Sequence, residues 1–240
     1  MADLLTSDLL ARYSDERIPR YTSYPTAPNF SAAVGEPEYR SWLSALPPSS
    51  LSLYLHIPFC KAMCWYCGCH TTITERDRPI LDYIETLHRE IELLASARDD
   101  GFSVGEIHFG GGTPTIIRPE EFIALMDAFR DRLGLAGAVN AAVEIDPRTL
   151  TGEMAVALGQ SGVTRASLGV QSFDPKVQKA INRVQSVETT MEAVEHLRHN
   201  GINAINFDLI YGLPFQTAES CVETVEAAVS MRPDRLAVFG

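Results

Sequence analysis

From Leu51 to the end of the 240-residue chain, short β-rich runs alternate with segments of helical period, and no hairpin turn signal joins any two runs. Strands are expected at Ser52–Ile57, Glu106–Phe109, Ala142–Ile145, Arg165–Leu168, Ala204–Ile210 and Arg235–Phe239. Between the first two, Ile80, Ile84, Leu87, Ile91 and Leu94 step by four and three, which gives a helix one apolar face. The next helix opens with Pro119, where a missing N–H costs nothing, and carries Phe122, Leu125, Met126, Phe129 and Leu133. Thr151, Asp174, Ser186 and Thr217 can each cap a helix N-terminus, and Gly201 can end the helix that Ser186 starts. Strand and helix in repeated alternation require right-handed crossovers and a parallel sheet, either open and doubly wound or curled as a barrel.

Residues 1–48 read differently. Arg20-Tyr-Thr-Ser-Tyr-Pro-Thr-Ala-Pro28 excludes a helix, and Pro47-Pro48 marks a break, so an extended arm over 1–48 and a strand–helix domain over 49–240 are expected. Asp and Glu number 31 against 20 Lys and Arg, a net charge of −11 that argues against nucleic acid as a partner. Apolar runs are strand-sized, and Asp3 and Asp8 interrupt the segment where a signal peptide would need a clean apolar core. The expectation is a cytoplasmic protein without a membrane span.

Cys60, Cys64, Cys67 and Cys69 fall within ten residues, while Cys221 stands apart. Neighbours this close cannot all meet the separation a disulfide needs, so a metal or cluster site is expected. Three thiolates spaced C-x3-C-x2-C can hold three irons of a cubane and leave the fourth open to a small molecule. A zinc site, which usually shows two separated ligand pairs, is the alternative, and Cys69 with His70 keeps it open. Gly110-Gly111-Gly112-Thr113, Glu144, Gln171 and Asp208 also lie at the ends of expected strands, on the rim where parallel α/β folds place their active sites. His56 and His108, each within a strand, read as structural residues.

The C-x3-C-x2-C run after a first strand, with Tyr66 before its last cysteine, resembles the radical S-adenosylmethionine superfamily. That resemblance implies a [4Fe-4S] cluster held by Cys60, Cys64 and Cys67, S-adenosylmethionine at the open iron, and a partial (β/α)6 barrel. Four segments further resemble the oxygen-independent coproporphyrinogen III oxidase (dehydrogenase) family: Arg20–Thr26, Tyr54–Cys69, His108–Thr115 and Asn206–Pro214. The family resemblance implies that Cys69 is not a ligand but serves turnover, with Tyr21 and Tyr24 contacting substrate. It further implies that Tyr54, Tyr66, Gly111, Gly112, Thr113, Glu144, Gln171, Arg183 and Asp208 surround two S-adenosylmethionine molecules.

The implied reaction converts two propionates of coproporphyrinogen III to vinyl groups, giving protoporphyrinogen IX in haem biosynthesis. A flavodoxin or ferredoxin would be the electron donor, and the full-length protein a monomer. The rival within the superfamily is a haem carrier without turnover; Cys69 and the Arg20–Thr26 segment favour the oxidase. The family continues past Gly240 into a further helix and a C-terminal domain. The chain is therefore expected to end the barrel after its sixth strand, with an exposed apolar edge there.

Overall fold

The computed structural model describes residues 26–97 and 103–240. A first compact unit ends at Trp42 and a second spans Leu43–Gly240. The first holds a 3-10 turn at Ala27–Asn29 and most of helix α1, Glu36–Ala45. Neither was expected of an extended arm. Helix α1 buries no residue and so leaves no amphipathic stripe to read. It is held locally, by Glu36 and Glu38 in its first turn, a Gly35 N–H donated to Glu38 Oε2 at 2.9 Å, and an Arg40–Glu36 ion pair at 2.7 Å.

The second unit is built on six parallel strands: β1 (Ser50–Ile57), β4 (Ser103–Gly111), β5 (Leu135–Ile145), β6 (Val163–Gln171), β7 (Ala204–Ile210) and β8 (Arg235–Phe239). They lie side by side in chain order. A doubly wound sheet reverses its order at a switch point; this one does not, so the architecture is the partial (β/α)6 barrel. The remaining two strands, β2 (Phe59–Cys60) and β3 (Thr72–Ile73), form a two-residue parallel ladder on either side of the cysteine loop. Runs that short carry no periodicity.

Crossovers are made by α2 (Asp77–Ala97), α3 (Pro119–Leu133), α4 (Gly152–Gln160), α5 (Pro175–Ala180), α6 (Val187–His199) and α7 (Ala218–Ser230). The cap residues act as their chemistry requires. Thr151, Asp174, Ser186 and Thr217 each accept a backbone N–H of the following turn, and Gly201 takes φ +84° just past α6. Strand β5 starts at Leu135, seven positions ahead of expectation, because Leu-Ala-Gly-Ala lacks the β-branched residues that mark a strand. No helix among the described residues is long and apolar enough to cross a membrane.

The core lies between the strands and their outer helices. Ile80, Ile84, Leu87 and Ile91 of α2 are buried, as are all five apolar α3 residues named from the sequence. Phe109 of β4 meets Phe122 of α3 with ring centroids 4.6 Å apart, and both are fully buried. The sheet remains open: β8 pairs only with β7, and Val238 and Phe239 on it are about half exposed. Phe109→Ala should lower unfolding stability by about 3–5 kcal/mol, the cost of removing a large ring from a packed site. Urea denaturation monitored by circular dichroism checks this; a loss under about 1 kcal/mol would show that the contact is not central.

Candidate functional site

The carboxyl ends of the strands open on a cleft of about 380 Å³, within the roughly 300–1,000 Å³ of small-molecule sites. Cys60, Cys64, Tyr66, Cys67, Cys69, Gly111, Gly112, Thr113, Glu144, Gln171, Arg183 and Asp208 all line it. Tyr54 stands beside the cleft rather than on it, stacked on His108 at 5.8 Å. Tyr21 and Tyr24 lie outside the described residues.

The cysteine loop is held at both ends and in its middle. Thr72 N–H donates to Pro58 O at 2.6 Å and Thr74 N–H to Cys60 O at 3.0 Å, closing the loop through β2 and β3. In the middle, Trp65 N–H donates to Ile181 O at 3.0 Å, and the Asn182 amide to Met63 O at 2.7 Å. Asn182 has φ +55°, a conformation asparagine tolerates better than most side chains. Beside Cys60, Gly112 admits no side chain: a Cβ there would come within 2.6 Å of Phe59 O and 2.9 Å of Cys60 Sγ. Gly111 adopts φ +116°, which disfavours any other residue. The Thr113 and Thr71 hydroxyls stand 3.4 and 3.5 Å from Cys60 Sγ.

Around Cys64 the partners are charged. Arg183 Nη1 lies 3.5 Å and Arg148 Nη2 3.7 Å from its sulfur. Both guanidiniums are held by Asp146, Arg148 at 2.6 Å and Arg183 at 3.3 Å. Burial pushes the Asp146 carboxyl up, but the Arg148 hydrogen bond and the two guanidinium charges outweigh it, leaving Asp146 below the usual carboxylate range. Arg183 also donates to Gly169 O at 2.6 Å, and its Nε is buried without a partner. A Cβ on Gly169 would stand 3.0 Å from Arg183 Nη2, so glycine is what lets this guanidinium reach the strand.

On the opposite side Glu144 accepts from Gly111 N–H at 3.2 Å and faces His108 Nε2 at 3.2 Å. Asp208 accepts from Ser167 at 2.8 Å and Asn206 at 2.9 Å. Burial, helped by the Glu144 charge, still raises the Asp208 carboxyl above its ordinary value, against those hydrogen bonds and Arg183. Gln171 sits at a β6 irregularity with φ +67°, a strained conformation that turns the strand end into the cleft. Burial, then the neighbouring Cys67, pushes the Cys69 thiol up to about 11, so it is uncharged at neutral pH.

Sequence reasoning missed Asp146, Arg148, Ser167 and Asn206, and it placed His108 among structural residues. The Glu144-x-Asp146 spacing puts both carboxylates on one rim and could have signalled Asp146. The Asn206-x-Asp208 spacing in β7 could likewise have signalled Asn206; Arg148 and Ser167 carry no comparable signal. His56 does act structurally: its Nε2 donates to His70 O at 2.8 Å and its Nδ1 stands 3.0 Å from the Tyr54 hydroxyl.

The radical SAM superfamily model matches residues 54–228. The chain therefore belongs to the radical SAM superfamily, whose members use a [4Fe-4S] cluster and S-adenosylmethionine. Within it, the chain is similar to the oxygen-independent coproporphyrinogen III oxidase of Bradyrhizobium diazoefficiens, 56% identical over 237 residues that cover 98% of this chain and 53% of that protein. A protein of the same name from Paracoccus denitrificans is 44% identical over 227 residues, 94% of this chain and 50% of its own. Among solved structures, the radical SAM coproporphyrinogen III oxidase HemN from Escherichia coli superposes with a TM-score of 0.88 at 37% identity, over 96% of this chain and 51% of that one. The chain spans about half the length of these relatives.

The residues present fit the two groups the superfamily implies. Thiols, an open cleft, a glycine that lets backbone approach Cys60 and a guanidinium with a free Nε donor are what a cluster and an amino-acid ligand require. Among the described residues no three His, Cys, Asp or Glu side chains converge on one ion position. A cubane takes each thiolate at its own iron corner, so convergence is not needed.

Asp146 should add stability above its unfolded pKa near 3.8 and lose that contribution as pH falls through its lower folded value. Urea unfolding from neutral to strongly acidic pH should therefore show Asp146→Asn less stable at neutral pH and losing less on acidification. Parallel pH curves for the two proteins would show that the arginines do not hold the carboxylate.

Proposed function

We propose that the chain is the cofactor-bearing part of an oxygen-independent coproporphyrinogen III oxidase, which oxidatively decarboxylates two propionates of coproporphyrinogen III to vinyl groups in cytoplasmic haem biosynthesis. The observation that carries this reading is the C-x3-C-x2-C loop opening on a cleft whose rim holds Glu144, Arg183 and Asp208 together. Cys60, Cys64 and Cys67 would hold the [4Fe-4S] cluster. When bound, the cluster would pass one electron into S-adenosylmethionine, whose cleavage to methionine would supply the 5′-deoxyadenosyl radical that takes a hydrogen atom from a propionate carbon.

The chain's own residues bind and orient. Arg183 suits a ligand carboxylate through its fixed fork of donors. Glu144 on β5 and Asp208 on β7, with β6 between them, suit ribose hydroxyls, and Ser167 and Asn206 fix the Asp208 oxygens that accept them. Gly111 and Gly112 let backbone approach the methionine moiety. Gln171, Tyr54, Tyr66 and Thr113 complete the surround of two S-adenosylmethionine molecules. Cys69, a neutral thiol near the cluster loop but outside the ligand set, serves turnover, and Tyr21 and Tyr24 contact substrate. A flavodoxin or ferredoxin supplies electrons to a monomeric protein.

An anaerobic assay tests this. The reconstituted chain with a strong reductant should cleave S-adenosylmethionine to 5′-deoxyadenosine, faster with coproporphyrinogen III present. Cys69→Ser should keep the cluster's visible spectrum and lower turnover, while Cys64→Ser should lose the cluster. Cluster assembly in Cys64→Ser with its loss in Cys69→Ser would reverse the ligand assignment. An assembled cluster with no cleavage, with or without coproporphyrinogen III, would overturn the reading.

A further inference from the structure

Two side chains of the cleft have no place in the reading above, Asp146 and Arg148, although both stand among the most constrained groups of the site. Arg148 Nη2 lies 3.7 Å from Cys64 Sγ and donates to Asp146 Oδ2 at 2.6 Å, while Nε meets both Asp146 oxygens at 2.9 and 3.2 Å. The Asp146 side chain is 12% exposed and that of Arg148 21%, so water competes little for the pair. Asp146 also receives Arg183, whose Nη1 meets the same sulfur from 3.5 Å. Two cations and one anion leave a net unit of positive charge beside Cys64. Without the Arg148 charge, Arg183 and Asp146 would cancel.

We propose that Arg148, aimed by Asp146, sets the reduction potential of the cluster by holding an N–H and a positive charge against the Cys64 sulfur. The proposal rests on the reading that Cys64 is a cluster ligand. An iron–sulfur cluster gains one negative charge on one-electron reduction, and N–H donors and cations near its sulfurs stabilise that reduced state. Among the described residues, Cys60 Sγ meets the neutral hydroxyls of Thr113 and Thr71, and the guanidinium contacts to a cysteine sulfur fall on Cys64. Arg183 has a competing partner in a ligand carboxylate; Arg148 holds its carboxylate, Asp146, within the protein. Its charge at Cys64 thus persists whether or not the cleft is filled. Asp146 acts through Arg148 and is a positioning residue.

The test is a potentiometric titration with a dithionite reductant and redox mediators, followed by electron paramagnetic resonance, on the anaerobically reconstituted chain. Iron content is measured first: an unchanged chain that takes up no cluster refutes the ligand reading and not the role of Arg148. In Arg148→Met, which keeps length and loses charge, the ratio of reduced to oxidised cluster at a fixed poise should fall about tenfold, equivalent to a potential lower by about 59 mV for one electron. Arg148→Lys should recover part of that shift.

In an Asp146→Asn background, Arg148→Met should shift the potential by less than half as much, because the guanidinium is no longer aimed. Where Arg148→Met carries too little cluster, Arg148→Gln is titrated in its place. A potential unchanged in the loaded variants, or a shift of the same size in both backgrounds, overturns the proposal. Loss of the cluster from every folded Arg148 variant does so too, since the residue would then serve assembly.

Discussion

A buried carboxylate with two guanidiniums is the constraint on which the site depends. Asp146 follows the end of β5, Arg148 comes two residues later and Arg183 comes from the turn after α5, so one anion ties together two stretches of chain and the Cys64 sulfur. Removing Asp146 would leave two guanidiniums without a counter-charge, at a cost of about 3–5 kcal/mol. Packed hydrophobic residues in place of a buried ion group are often as stable or more so, so the place of this group at the mouth of a cleft points to a task beyond folding.

The cysteine loop is placed by a different device. Its ends are closed by the ladder of β2 and β3, and its middle is tied through Trp65 and Asn182 to the turn that precedes Arg183. Backbone bonds set the position of the thiols and charged side chains set their electrostatics. Gly112 joins the two, since backbone from the end of β4 runs against Phe59 O and Cys60 Sγ, with no space for a methyl group. The rim carboxylates Glu144 and Asp208 stand across from this loop, each fixed by a hydrogen bond from a neighbouring strand, with a second to Asp208 from Asn206 on its own strand.

The parts legible in the sequence were those with a local code. Helix caps such as Thr151 and Thr217 act through atoms three residues away, and the apolar step in α2 and α3 repeats once per turn; both can be read without knowing the fold. The cysteine spacing is local in the same sense. What escaped was non-local or unpatterned. Helix α1 buries nothing, β2 and β3 are two residues each, and β5 begins in an alanine–glycine run. Arg148 reaches Cys64 across 84 positions of sequence, and Ser167 becomes a site residue only because β6 and β7 pair in register beside Asp208.

The central claim is that Cys60, Cys64 and Cys67 leave one iron of a [4Fe-4S] cluster open and that the cleft beside it binds S-adenosylmethionine. Its most direct test is the electron paramagnetic resonance spectrum of the reduced, anaerobically reconstituted chain, recorded with and without S-adenosylmethionine. A [4Fe-4S] signal is expected whose g-values shift when S-adenosylmethionine is added, as ligation of the open iron would require. A reconstituted cluster whose signal is the same in both samples would contradict it.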